Sequence, residues 1–130
     1  MESFRIADAA RLLGVSDDTV RRWIEHGDLP TTGDTPVRIP GDALAAWAVQ
    51  RAQDSADPTD VLSSARNRFV GLVTRVQVDG VMAQVDIQSG PHRVVSLMSA
   101  EAVRELALEP GSLAVAVVKA TTVIVETRKT

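Results

Sequence analysis

Two short segments of the chain carry residue types that suit the binding of a small anion. One is Ser64-Ala65-Arg66-Asn67 and the other is Lys119-Ala120-Thr121, with Ser99 between them in the sequence. They supply hydroxyls, a guanidinium, an ammonium and small residues whose backbone N–H groups a ligand can approach closely. A tetrahedral dianion needs such donors without opposing negative charge, and neither segment contains an acid. The alternative is that Arg66 and Lys119 are ordinary surface charges beside turns.

A second group of candidate residues lies on a predicted helix over residues 17–26. The turn Leu13-Gly14-Val15-Ser16 precedes it, with a glycine that permits left-handed backbone and a serine that can cap the helix. Val20, Trp23 and Ile24 have the spacing of a buried helical face. A DNA major groove would meet the opposite face, which consists of Asp18, Thr19, Arg21, Arg22 and Glu25.

The two arginines of this face are candidate DNA contacts. A guanidinium matches both a phosphate and a guanine edge, so Arg21 and Arg22 suit either role, and Thr19 could reach a phosphate or a thymine methyl. Asp17 and Asp18 would instead repel phosphates if the helix entered the groove by its N-terminal end. A solvated helix face is therefore the alternative interpretation.

The apolar residues that must position these groups change their period once along the chain. Up to residue 52 they recur at helical spacing. Gln53–Leu62 is polar and acidic around a proline, which predicts a linker. Downstream, apolar residues alternate as in β-strands, Asp79-Gly80 predicts a hairpin, and residues 99–106 predict one short helix. The predicted strands cover residues 69–78, 81–87, 92–97, 113–118 and 122–127.

The composition excludes several classes of protein. With 45% hydrophobic and 24% charged residues, the 130-residue chain has the composition of a folded globular protein, and no run reaches the ~18 apolar residues of a membrane span. Without cysteine there is no disulfide or thiolate site, and two histidines alone cannot form a metal centre. We therefore expect a cytoplasmic protein without membrane contact. No catalytic triad, carboxylate pair or phosphate loop is visible, so we do not expect an enzyme.

The net charge of −3 argues against a strongly basic nucleic-acid binder. Any DNA contact must therefore rest on a small local basic face. Residues 66–130 carry eight basic and six acidic side chains, which favours an anion-binding role for the second part.

The segment RIADAARLLGVSDDTVRRWIEHGDLP, with Thr31–Pro40 and a helix from Asp42 to Arg51 after it, resembles the winged helix-turn-helix domains of the MerR and phage-excisionase group. The resemblance implies that the second helix reads a DNA groove and that the segment after it is a wing. This wing carries one arginine, Arg38, where relatives commonly carry several basic residues. The predicted DNA-binding residues are Thr19, Arg21, Arg22 and Arg38.

The runs SARNRFVGLVTRVQVDGVMAQVDI, SLMSAEAVRELALEPG and AVVKATTVIVE together resemble the Mop domain, or molbindin, of the TOBE superfamily. The resemblance implies a small OB-like β barrel that oligomerises and binds molybdate or tungstate at interfaces between subunits, with the opening and closing motifs from different subunits. Where relatives often have a Thr-x-x-Ser pair, this chain has Ser99 and Ala102. The oxyanion ligands implied are Ser64, Ala65, Arg66, Ser99 and Lys119.

Together these resemblances predict an α+β chain of two domains. A small all-α winged helix-turn-helix domain at residues 1–52 and a linker at 53–62 precede an OB-like Mop barrel with one short helix at 63–130. A barrel of ~65 residues is marginal alone, so we expect a homo-oligomer, a dimer or hexamer, formed through the Mop domain. The implied function is a molybdate- or tungstate-responsive transcriptional regulator that binds double-stranded DNA. The alternative is a molbindin that stores or buffers molybdate and uses its helical domain for assembly.

Overall fold

The computed structural model describes residues 2–52 and 61–129. The chain divides into two compact units, Met1–Pro58 and Thr59–Thr130. Most of the predicted linker, Gln53–Leu62, lies outside the described residues, so the domain bounds stay a prediction.

The first unit is built on three helices and a short two-stranded ribbon. The turn between the first two helices forms as the sequence predicts, because Gly14 adopts a left-handed conformation (φ 68°) and the Ser16 hydroxyl accepts a hydrogen bond from the Thr19 N–H at 3.2 Å. In chain order the elements are β1 (Ser3–Arg5), α1 (Ile6–Leu13), α2 (Asp17–Glu25), β2 (Arg38–Pro40) and α3 (Gly41–Ala52).

The sequence does not predict the ribbon, because three-residue strands are too short to show a period of two. β1 and β2 are antiparallel, with Phe4 opposite Ile39. Ile39 is fully buried and Phe4 packs against the core, so this pair anchors the ribbon to the helices. The predicted helical faces and Leu29, which lies in the loop after α2, form the remainder of the core. Its buried residues are Ala9, Ala10, Val20, Leu29, Ile39 and Leu44.

The second unit is a curled antiparallel sheet with one short helix. Its strand order is β5-β4-β3-β6, and the hairpin between β3 and β4 turns at Gly80, whose φ of 63° fits the predicted Asp-Gly turn. This half-barrel with its helix confirms the predicted OB-like fold class. The elements are β3 (Asn67–Asp79), β4 (Met82–Ser89), β5 (His92–Ser99), α4 (Ala100–Glu105) and β6 (Leu113–Val118).

The fifth predicted strand, at residues 122–127, is absent from the described structure. A 3₁₀ turn at Ala120–Thr122 follows β6, and residues 123–129 have no regular secondary structure. Ile124 and Val125 are each 86% exposed. An alternating apolar segment becomes a strand only when another strand accepts its backbone hydrogen bonds, and none of the described strands of this chain pairs with it.

A buried carboxylate lies on the face of the sheet opposite the core. Asp86 on β4 is only 5% exposed and accepts hydrogen bonds from Gln84 Nε2 at 3.0 Å and from Arg93 Nε and Nη2 at 3.0 and 2.8 Å. The Gln84 hydrogen bond, the Arg93 hydrogen bonds and the Arg93 charge hold the pKa of Asp86 below its ordinary value, against the opposing effect of burial. The three side chains therefore tie β4 to β5.

We predict that Asp86→Asn lowers the free energy of unfolding of the second unit at about pH 7. The substitution should also make this free energy depend less on pH in the acid range. A depressed folded-state pKa means that the carboxylate stabilises the fold above its unfolded pKa of about 4, and that this contribution disappears as the pH falls through the folded value. Urea unfolding followed by far-UV circular dichroism measures the effect. Trp23 and Trp47 report the first unit separately by fluorescence. An equal decrease in stability on acidification of the wild type and of Asp86→Asn would contradict the prediction.

Candidate functional site

The two predicted anion-binding segments line one pocket of the second unit. The pocket has a volume of about 440 Å³ and contains the two cations, Arg66 and Lys119. None of its described lining residues is an acid. They are Ser63, Ser64, Ala65, Arg66, Val117, Val118, Lys119, Ala120 and Thr121.

Pairing of β3 with β6 brings the two segments together. Asn67, the first residue of β3, lies opposite Val118, the last residue of β6, and its Nδ2 donates to the Val118 carbonyl at 3.2 Å. Arg66 directly precedes β3 and Lys119 directly follows β6, so both lie just beyond this pair. The family resemblance implies an opening and a closing motif from different subunits, whereas antiparallel pairing places both motifs of one chain in the same pocket. A contribution from a second subunit stays a prediction.

The backbone of both segments is held by local hydrogen bonds. The Ala65 N–H donates to Ser63 Oγ at 3.1 Å. The Lys119 carbonyl accepts from both the N–H and the hydroxyl of Thr122, at 3.0 and 2.9 Å. The Lys119 side chain is exposed and has no partner among the residues that the structure describes. Its ammonium is therefore available to an incoming anion.

The guanidinium of Arg66 is only weakly engaged by its own chain. Its Nη1 lies 3.3 Å from the Ser64 carbonyl oxygen, a long hydrogen bond that leaves most of its donors unused. The Arg66 and Ser64 residues are not buried, so both are within reach of a ligand. The pocket therefore offers one fork of N–H groups and one ammonium on the same surface, the arrangement that charge-assisted binding of an oxyanion requires.

Ser99 does not belong to this pocket within one chain. It caps α4, where its Oγ accepts from the Ala102 N–H at 3.0 Å, and it lies opposite Met82 at the far end of the sheet. About 40 Å of extended β3 separates the Asn67 end from that hairpin end. The Ala102 N–H, the polar group that position 102 retains, is already donated to Ser99. Ser99 stays a predicted ligand that only a second copy could supply.

Two further residues with hydroxyl groups line the pocket and are not among the predicted ligands: Ser63 and Thr121. Thr121 follows Lys119 within the closing segment, and its hydroxyl is a usable donor there. Ser63 precedes the opening segment and offers no signal beyond its hydroxyl.

Of the predicted DNA contacts of α2, Arg21 and Arg22 are exposed and Thr19 is half-buried. Arg21 Nη1 lies 3.0 Å from Asp18 Oδ1, and Arg22 Nη2 donates to Thr19 Oγ1 at 3.2 Å. Thr19 Oγ1 is also 3.0 Å from Ser16 Oγ. An exposed ion pair of this kind contributes about 0–1 kcal/mol, so a phosphate can replace Asp18 as the partner of Arg21.

The fourth predicted DNA contact, Arg38, is held inside its own unit. Its Nε donates to Ser3 Oγ and its Nη2 to the Ser3 carbonyl, both at 2.8 Å, and these hydrogen bonds are partly buried. Arg38 therefore joins β2 to β1, and its Nε and one N–H of Nη2 are used within the ribbon.

The described part of the chain offers neither a metal cluster nor a membrane-spanning helix. Residues 2–52 and 61–129 contain no group of three or more His, Cys, Asp or Glu side chains placed to hold a metal ion. No helix within those ranges combines the length and apolar character that crossing a membrane requires.

Comparison with solved structures found matches that cover about half of the chain. A molybdate-binding protein from Sporomusa ovata is 28% identical, and the match covers 52% of this chain and 100% of that one, with a TM-score of 0.49. MopII from Clostridium pasteurianum is 33% identical, with 51% and 100% covered and a TM-score of 0.49. The cytoplasmic molybdate-binding protein ModG, solved with molybdate bound, is 37% identical, with 49% and 46% covered and a TM-score of 0.45.

Comparison with protein families matched both units. The helix-turn-helix domain family matches residues 3–52, and the TOBE domain family matches residues 63–125. No curated protein sequence matches the chain. The chain therefore belongs to the TOBE family through its second unit and carries a helix-turn-helix domain in its first.

Proposed function

We propose that this protein is a cytoplasmic transcriptional regulator that binds molybdate or tungstate through its TOBE unit and double-stranded DNA through its helix-turn-helix unit. The observation that carries the proposal is the acid-free pocket in which Arg66 and Lys119 lie together. The family matches support it, because one covers residues 3–52 as a helix-turn-helix domain and the other covers residues 63–125 as a TOBE domain. About half of the chain is also 28% and 37% identical in sequence to two proteins described as molybdate-binding.

The chemistry of the pocket favours a tetrahedral dianion over a neutral ligand. Arg66 and Lys119 supply two positive charges, and Ala120 is small enough for a ligand to approach its backbone closely. Molybdate and tungstate have the same charge and nearly the same size, so the same donors serve both.

A second copy of the chain completes the proposed site. The half-barrel leaves β5 and β6 as edge strands, and both line an apolar groove of about 630 Å³. Leu97 on β5 is 73% exposed and Leu113 on β6 is 53% exposed. Unpaired edges beside apolar surface favour association with another strand.

The occupant that we propose for this groove is the tail of another copy. Val123, Ile124 and Val125 form an exposed apolar run that no described strand pairs with. A strand of that pattern would bury its side chains in the groove and satisfy its backbone groups at the two edges. Such an exchange joins two TOBE units, and with them two helix-turn-helix units. In such an assembly, we propose that Ser99 of one copy contributes to the anion pocket of another copy.

DNA binding by a single copy should be weak. The first unit has more acids than bases, and Arg21, Arg22 and Arg38 all have partners within it. Two helix-turn-helix units linked through their TOBE units gain affinity because the second binding event becomes intramolecular. We therefore assign specific DNA binding to the oligomer.

Lys119→Ala is predicted to weaken molybdate binding by about 2 kcal/mol, or roughly thirtyfold in Kd, because it removes one member of a charge-assisted contact. Isothermal titration calorimetry of the full chain measures this. Lys129→Ala removes the same charge outside the pocket and is the matched control, with no change expected. A molybdate titration of Lys119→Ala that equals the wild type would exclude Lys119 as a ligand.

On a 30-base-pair duplex of random sequence, Arg21→Ala and Arg22→Ala are predicted to weaken binding. The salt slope is the slope of the logarithm of the binding constant against the logarithm of the salt concentration. Each substitution should also reduce its magnitude by about 0.9 for every phosphate that the arginine neutralises in the wild type. Asp18→Asn should strengthen binding, because it removes a negative charge and releases Arg21. Fluorescence anisotropy at several salt concentrations measures all three.

Asp8→Asn is the matched control for that experiment, since it breaks the equivalent Asp8–Arg11 pair on α1. A smaller effect is expected there. If the protein bound molybdate but no duplex, the proposed function as a transcriptional regulator would be wrong and the storage alternative would be favoured.

Ile124→Asp is predicted to convert the oligomer to monomer, because a charged residue in the tail cannot be buried in the groove of another copy. Ile124 is exposed within its own chain, so the substitution should leave the melting temperature of the monomer unchanged. Sedimentation velocity measures the assembly, with Thr127→Asp as the control outside the apolar run. An unchanged sedimentation coefficient in Ile124→Asp would rule out tail exchange.

A further inference from the structure

We infer that Arg5 is a DNA-phosphate contact at the base of the wing, where the family resemblance implies Arg38 as the DNA-binding residue. The inference rests on the DNA binding proposed above. It follows from which arginines of the first unit already have partners, and from where β1 places Arg5.

Among the described residues of the first unit, Arg5 is the arginine whose side chain has no partner. It is exposed, and no hydrogen bond, ion pair or ring contact involves its side chain there. Each of the other five has a partner. These pairs are Arg11 with Asp8, Arg21 with Asp18, Arg22 with Thr19, Arg38 with Ser3, and Arg51 over the Trp23 ring.

The ribbon places Arg5 directly opposite Arg38. Directly opposed residues of antiparallel strands project to the same face, and here the neighbouring pair, Phe4 and Ile39, packs into the core. Two like charges at opposed positions destabilise the ribbon unless an anion or another partner compensates them. Arg38 donates to two oxygens of Ser3, which hold its side chain but carry no compensating charge, and Arg5 has no partner among the described residues.

The wing begins and ends beside this pair. The predicted wing leads into Arg38 at the start of β2, and the Thr32 N–H donates to the Arg38 carbonyl at 2.9 Å. The loop from Thr32 to Arg38 is thus closed at the end of the ribbon that carries Arg5. A wing laid along DNA would bring this end of the ribbon close to the phosphate backbone.

Phosphate is the group that this position suits. The guanidinium of Arg5 has all its N–H donors available, and Arg38 contributes a second positive charge across the ribbon without needing to move. A base edge is a poorer partner, because Arg5 projects from a strand beside the wing and not from the recognition helix α2. The contact should therefore add affinity without sequence preference.

The test is anisotropy of the full chain on the random 30-base-pair duplex, with Arg5→Ala compared with Arg11→Ala. Both substitutions remove one arginine charge, and Arg11 lies on α1 in an ion pair with Asp8. Arg5→Ala is expected to weaken binding about tenfold at ~50 mM salt and to lower the salt slope by about 0.9. Arg11→Ala should change the affinity less than about twofold, and Arg5→Lys should recover most of the affinity.

The melting temperature distinguishes a lost DNA contact from unfolding of the first unit. Arg5→Ala should not lower the melting temperature of the first unit, because it relieves like-charge repulsion, so weakened binding cannot be attributed to unfolding. Equal affinities of Arg5→Ala and Arg11→Ala on a duplex that the wild type binds would overturn the inference and leave the proposed function standing. Failure of the wild type to bind the duplex would overturn the DNA-binding proposal itself.

Inorganic phosphate distinguishes a DNA contact from a site for a free anion. We expect the melting temperature of the first unit to respond equally to phosphate in the wild type and in Arg5→Ala. A stabilisation by phosphate that requires Arg5, without any effect of Arg5 on duplex affinity, would assign the position to a small anion and overturn the DNA contact.

Discussion

Antiparallel pairing of β3 with β6 is the constraint on which the candidate oxyanion site depends. The two strands are far apart in sequence, yet their register places Asn67 opposite Val118 and so brings Arg66 beside Lys119. Two cations at such a junction repel each other in the absence of a ligand, and the backbone hydrogen bonds of the ladder hold them in place. The sheet thus keeps a positively charged pocket formed before an anion arrives.

The same sheet is incomplete, and in the proposed function this links ligand binding to assembly. Four strands curl into a half-barrel whose edges, β5 and β6, have no partner on one side among the described residues. Ser99, the remaining predicted ligand, lies at the opposite end from the pocket. An anion that uses donors from two copies would bind the oligomer more tightly than the monomer, and only such a difference in affinity lets a ligand shift an equilibrium. Since each copy carries a helix-turn-helix unit, stabilising the oligomer would also pair the two surfaces that we propose to bind DNA.

Much of the fold can be predicted from the sequence, because strong local signals agree with the tertiary structure. Helical spacing around Val20 and Trp23, the Ser16 cap and the Asp-Gly hairpin each specify a local geometry that packing then preserves. The ribbon of β1 and β2 cannot be predicted, since its stability comes from burying Phe4 and Ile39 against distant helices. At residues 122–127 the sequence instead predicts a strand that the structure lacks, because none of the described strands pairs with this segment. The candidate sites divide in the same way. The residue types of the candidate anion pocket are evident in the sequence, but the strand register that brings them together is not. The hydrogen bonds from Arg38 to Ser3 cannot be predicted either, because they join residues more than thirty positions apart.

Native mass spectrometry of the full chain, titrated with molybdate, tests whether the anion is held by an assembly of TOBE units. We predict that bound molybdate appears on the oligomer and that monomer released by dilution carries none. Monomer that retains molybdate at the same occupancy as the oligomer would contradict this, because a single chain would then supply the complete site.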